Sequence, residues 1–156
     1  MLRRRLTHLS RISYGSTAAI VTSMALVVGL NATGSTKVTV IAALLITALA
    51  DNLTDSLSIH IYQESERLEP REALIGTLSN FATRLVGGLT FVVAVYALPP
   101  SVAVAACLAW GMTLLGLLTA LLARERGVSV VSEIAKHVLA ASAVLAVSRG
   151  IAKLLV

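Results

Sequence analysis

Val38-Thr39-Val40-Ile41-Ala42-Ala43-Leu44-Leu45-Ile46-Thr47 runs straight into Ala48-Leu49-Ala50-Asp51-Asn52-Leu53-Thr54-Asp55. A segment apolar enough to cross a bilayer therefore carries two aspartates inside it. A carboxylate at bilayer depth costs about 2.5 to 3.5 kcal/mol on insertion scales, so such residues face a polar pathway or a partner rather than lipid. Asp51 and Asp55 are the first candidates for function.

The rest of the chain has the same character. Of 156 residues, 56% are hydrophobic and only 13% charged, and the mean hydropathy of +0.86 lies outside the range of a soluble domain. A membrane helix needs about 20 mostly apolar residues. That length picks out five spans, at about 14–33, 38–62, 73–98, 101–123 and 131–155. The apolar runs are continuous and rich in Ala and Leu, without the alternation of barrel strands. The expected fold is an all-α integral membrane protein, a single five-helix transmembrane domain over residues 1–156. Turn chemistry marks the breaks: Asn31-Ala32-Thr33-Gly34-Ser35, Pro99-Pro100 and Arg124-Glu125-Arg126-Gly127, with an acid-rich break at about 62–72.

Cations orient the bundle. Arg3, Arg4, Arg5, Arg11, Arg67, Arg71, Arg124, Arg126 and Lys136 fall on one side, and Lys37, Arg149 and Lys153 on the other. The positive-inside rule then puts the N-terminus in the cytoplasm and the C-terminus outside or in a lumen. The same rule accounts for the net charge of +5 without invoking nucleic acid. Cys107, the single cysteine, reads as a small packing residue. The basic start followed by an apolar run reads as a retained helix rather than a cleaved signal.

In a regular helix Asp51, Asp55, Ser58 and Tyr62 share one face, broadened by Asn52, Thr54 and Ser56. Oxygen-rich stripes suit hard divalent cations such as manganese and, with an imidazole nearby, iron(II). His60 supplies that imidazole, and Glu64, Glu66, Glu69 and Glu72 follow it. Their bland reading is a solvated loop of mixed charge. The remaining cation, Arg84, lies within the third span, and antiparallel packing of the second and third helices can bring it to Asp51 or Asp55. Gly15, Ala19 and Ser23 form a small-x-x-x-small stripe on the first helix, suited to dimerisation. No HExxH, no GxSxG and no paired nucleophile and base occurs at depth, so no enzymatic activity is expected.

With these motifs in place, the chain resembles the vacuolar iron transporter family. Gly15-Ser16-Thr17-Ala18-Ala19-Ile20-Val21-Thr22 is similar to the opening of that family's first helix. Thr54-Asp55-Ser56-Leu57-Ser58-Ile59, with Ser65-Glu66-Arg67 beyond, is similar to its second-helix signature and the Ser-Glu-rich end that follows. Gly87-Gly88 before a proline-marked turn, and Ser132-Glu133-Ile134-Ala135-Lys136 opening the last helix, fit the same pattern. The chain departs from the family at Ala18 and Ile59, where the family has an aspartate and a methionine on the cation path. The long cytoplasmic metal-binding insert that some members carry between the second and third helices is absent, as in the family's shorter members.

The resemblance implies a proton-coupled exporter of iron(II) or manganese(II), acting as a homodimer packed through the first helix at Gly15, Ala19 and Ser23. Asp51 and Asp55 would bind the cation, Ser58, Asn52 and Thr54 would complete its coordination, and His60, Glu64 and Glu66 would form the cytoplasmic entrance. Arg84 would tune the carboxylates. The metal is cargo, and no resident cofactor is expected. The expected location is a multi-pass position in a plasma membrane. The alternative is a non-transporting scaffold or partner subunit, with Arg84 and the aspartates as a buried packing network.

Overall fold

The computed structural model describes the backbone of residues 2–66 and 68–156, and the side chains of 16–66 and 68–156. Six α-helices follow one another, with no strand among the described residues: α1 (Leu2–Ala32), α2 (Lys37–Ile46), α3 (Asn52–Ser65), α4 (Pro70–Ala97), α5 (Pro100–Arg126) and α6 (Val130–Leu154). A π-helical turn at Thr47–Asp51 joins α2 and α3 into one rod. Four rods, Lys37–Ser65, Pro70–Ala97, Pro100–Arg126 and Val130–Leu154, are long and apolar enough to cross a membrane. The expected first span falls on α1, whose Ser16–Ala32 is a shorter apolar helix. The chain is a multi-pass, all-helical membrane protein.

Local chemistry sets the boundaries. Gly34, at φ 72°, turns the chain after α1, and the Thr36 hydroxyl accepts from the Thr39 amide at 3.2 Å to cap α2. Pro70 and Pro100 stand at the start of α4 and α5, where a missing N–H leaves no bond unmade. Gly127, at φ 67°, closes α5 in the left-handed conformation that favours glycine. The acid-rich break expected at 62–72 is shorter than the sequence indicates. Helix α3 continues to Ser65 and α4 begins at Pro70, so Glu64 and Glu72 are helical. Gly87 and Gly88 lie well inside α4.

Helix α1 is the central post, packed against α4, α5 and α6. The core joins Ile20, Met24 and Val27 of α1 to Val40 and Leu44 of α2, Phe91 and Val95 of α4, Cys107 and Leu115 of α5, and Ala141 of α6. Close approach occurs where glycine allows it: a Cβ on Gly111 would collide with the Met24 side chain, and one on Gly29 with the Ser148 hydroxyl. Ser148 donates to the Ala25 carbonyl at 2.7 Å, fixing α6 to α1. Ser23 of the expected dimer stripe is buried within the chain itself, and Ala19 lines a groove shared with α4 and α5. Gly15, like Arg3, Arg4, Arg5, Arg11 and Arg67, lies outside the described side chains. The outer surface is hydrocarbon, with Leu53, Leu57, Val86 and Leu139 among many large exposed apolar residues. A lipid-facing surface has this composition.

Candidate functional site

The π-turn decides which residues of the second span face inward. A regular helix advances about 100° per residue. Continued from Val40 and Leu44, which sit in the core, it would carry the buried side through Asp51, Asp55, Ser58 and Tyr62. The π-turn accommodates one extra residue, so the buried side passes instead to Asn52, Ser56 and Gln63. The acid stripe is displaced onto the flank, where Asp51 is 54% and Asp55 39% exposed. Gly88 makes room for the turn, since a Cβ there would lie 3.2 Å from the Cβ of Ala48.

Arg84 reaches across from α4 to both acids. Its Nη1 donates to Asp55 Oδ2 and its Nη2 to Asp51 Oδ2, each at 2.9 Å. The guanidinium is only 4% exposed. Asp51 is the midpoint of the Lys37–Ser65 rod and Arg84 lies at the middle of Pro70–Ala97. With both carboxylates ionised, two negative charges face one positive charge, so the triad holds an odd carboxylate. Charge-assisted bonds of this length are the strong class of hydrogen bond, and here they join two antiparallel neighbours at mid-depth.

Beside the triad runs a seam of neutral polar groups. Asn52 Nδ2 donates to the Phe81 carbonyl at 2.8 Å, and Ser56 Oγ lies 3.5 Å from Asn52 Oδ1. Asn80, one turn before Arg84 and 1% exposed, donates from Nδ2 to Asp55 Oδ2 at 3.3 Å and to Ser56 Oγ at 3.5 Å. Gln63 closes the seam against Gly76, where a Cβ would stand 2.7 Å from Gln63 Nε2. Among the described residues, three buried side-chain atoms there have no partner: Gln63 Oε1, Asn80 Oδ1 and Arg84 Nε. A helix pair in lipid gains nothing from excluding water, so such hydrogen bonds supply much of its adhesion.

His60 sits nearer the end of α3. The Thr77 hydroxyl donates to the Ala73 carbonyl at 2.9 Å, which leaves its oxygen to accept a hydrogen bond from His60 Nδ1–H at 3.2 Å. The other ring nitrogen lies 3.5 Å from Glu64 Oε1.

The sequence-derived residues therefore separate into three groups. Asp51, Asp55 and Arg84 come together. Asn52 turns into the helix contact and bonds a backbone carbonyl rather than joining the acid stripe. Ser58 is exposed and donates back to the Thr54 carbonyl at 3.0 Å, while Glu64 and Glu66 are exposed beyond it. Among the described residues no three of His, Cys, Asp and Glu gather closely enough to hold a metal ion. Sequence reasoning missed Asn80 and Gln63 as members of the site, and placed Ser56 on the acid stripe rather than in the helix contact. The available signal was spacing: Asn80 and Arg84 are four apart on one helix, so they share a face.

No family model, curated protein or solved structure matches the chain.

Proposed function

We infer that this protein transports a divalent cation, iron(II) or manganese(II), across its membrane, with Asp51 and Asp55 as the groups that take the cation. The observation that carries the reading is a charged layer at the midpoint of two apolar rods, with an odd carboxylate on the exposed flank. A half-exposed carboxylate at that depth is stable only beside a polar pathway or another protein surface. In this reading the second surface is another copy of the chain, and the path runs where the two acid flanks meet. Ser58 and Thr54 are exposed on that flank and offer hydroxyl oxygens to the cation. His60, Glu64 and Glu66 draw cations to the cytoplasmic mouth. Five spans with the N-terminus inside, an outward direction and proton exchange complete the reading, which rests there on the family resemblance and the distribution of cations. A plasma membrane is the matching location.

A second reading has its own support. Arg84 engages both carboxylates at 2.9 Å, as a packing network in a scaffold subunit would. Flux separates the two. Proteoliposomes holding the purified protein should take up iron(II) or manganese(II) in a manner that depends on a pH gradient, and Asp51→Ala/Asp55→Ala should abolish uptake. Well-folded protein with no flux of either metal favours the scaffold.

A further inference from the structure

One guanidinium bridges the two acids, one nitrogen to each. It occupies the position between the carboxylates that a divalent ion would take. We propose that Arg84 is the resident cation of this site: it holds Asp51 and Asp55 when no metal is bound and withdraws when a divalent ion replaces it. The proposal rests on the transport reading and adds its control element.

Three further observations support the exchange. Asn80 Oδ1 is buried and has no partner, while the amide of the same side chain touches Asp55. An amide oxygen is a ligand that a hard cation adds to carboxylates, and here it is left unused while Arg84 holds the acids. Arg84 also lines a groove of about 280 Å³ between α1, α4 and α5, whose wall includes Ser16, Thr83, Thr90 and Trp110. Arg84 Nε has no partner where it stands. The groove wall is otherwise aliphatic, including Ile20, Val86, Leu114 and Leu117, so the Trp110 ring and the few hydroxyls are what would hold a withdrawn guanidinium there. Trp110, whose Nε1 donates to Thr90 Oγ1 at 2.9 Å, is held against that wall.

Competition sets the expected numbers. A ligand that binds only the fraction of molecules with Arg84 displaced has its apparent affinity lowered by that fraction. Removing the competitor should therefore tighten binding. Mn²⁺ titrated into the purified full-length chain should bind Arg84→Gln at least about tenfold more tightly than wild type, by that same population argument. Arg84→Lys, a single ammonium that cannot fork to two acids, should fall between. Asp51→Asn/Asp55→Asn in the Arg84→Gln background should abolish binding.

Wild type supplies a second readout that needs no Arg84 variant. Trp110 is the only tryptophan, and its emission should change with the same midpoint as Mn²⁺ binding. Equal or weaker Mn²⁺ affinity in Arg84→Gln, or unchanged Trp110 emission at saturating Mn²⁺, would overturn the resident-cation role while wild-type flux left the transport reading standing. Absence of both flux and Mn²⁺ binding in every form would remove both.

Discussion

The two halves of the second span are held by opposite kinds of interaction. In α2, Val40 and Leu44 interlock with the aliphatic and aromatic side chains of the core. Past the π-turn, the buried side of α3 is Asn52, Ser56 and Gln63, and what it meets on α4 is Gly76, Asn80 and Arg84. The first half is a jigsaw of hydrocarbon whose strength lies in close contact. The second is a set of directed bonds, each of which leaves a buried polar atom stranded when its partner is removed. One extra residue in the helix separates them, and it also puts the acids on the flank instead of in the packing contact.

The difference can be broken most severely at Arg84. Breaking a buried ion pair by removing one partner costs about 3–5 kcal/mol. Arg84→Leu should fall near the lower end, because Asp51 and Asp55 are half exposed and screened in part. Adding Asp51→Asn and Asp55→Asn should recover most of the lost thermal midpoint. An Arg84→Leu protein as stable as wild type would mean the two rods are held by shape alone.

A pair of deletions tests the register. Removing Ala50 lets the π-turn relax into a regular α-helix while Asn52, Ser56 and Gln63 keep facing α4. Removing Leu57 instead rotates everything after it by about 100° and turns His60 and Gln63 out of the seam. The Leu57 deletion should be destabilised by about 2 kcal/mol more, the order expected for stranding a buried amide and its neighbours. Thermal unfolding in detergent reads the difference, and equal losses would contradict the register argument.

The finest contrast lies between adjacent faces of α3. Asn52→Ala removes a buried amide bonded to the Phe81 carbonyl and should cost about 1–3 kcal/mol. Ser58→Ala removes an exposed hydroxyl bonded to its own helix and should stay within about 0.5 kcal/mol. Its effect belongs in flux rather than in stability.

Much of this was legible in the sequence, and the limits are physical. Long apolar runs and Gly34, Pro100 and Gly127 mark the helices and their ends, because span length and φ preferences are local properties. Asp51, Asp55 and Arg84 stand out because charge at depth is rare. The π-turn was not legible. Thr47-Ala48-Leu49-Ala50-Asp51 contains neither Gly nor Pro, and the extra residue is stabilised by packing against Gly88 rather than by any local preference. Extrapolating a regular helix through it groups Asn52 with the acids and overlooks Gln63. The stripe at Gly15, Ala19 and Ser23 was read as a surface for a second copy, but Ser23 is consumed by the chain's own packing, and small residues serve both purposes equally.

Whether the acid-bearing flank of the second span faces a polar pathway can be read from thiol accessibility in native membranes. Single cysteines would replace Thr54, Ser58, Leu53 and Leu57 in a Cys107→Ala background, since Cys107 is buried and free. A membrane-impermeant maleimide should label positions 54 and 58 and spare 53 and 57, and saturating Mn²⁺ should slow the labelling. Equal protection at all four positions would show that this flank lies in lipid or in a dry contact, and the pathway would have to be abandoned.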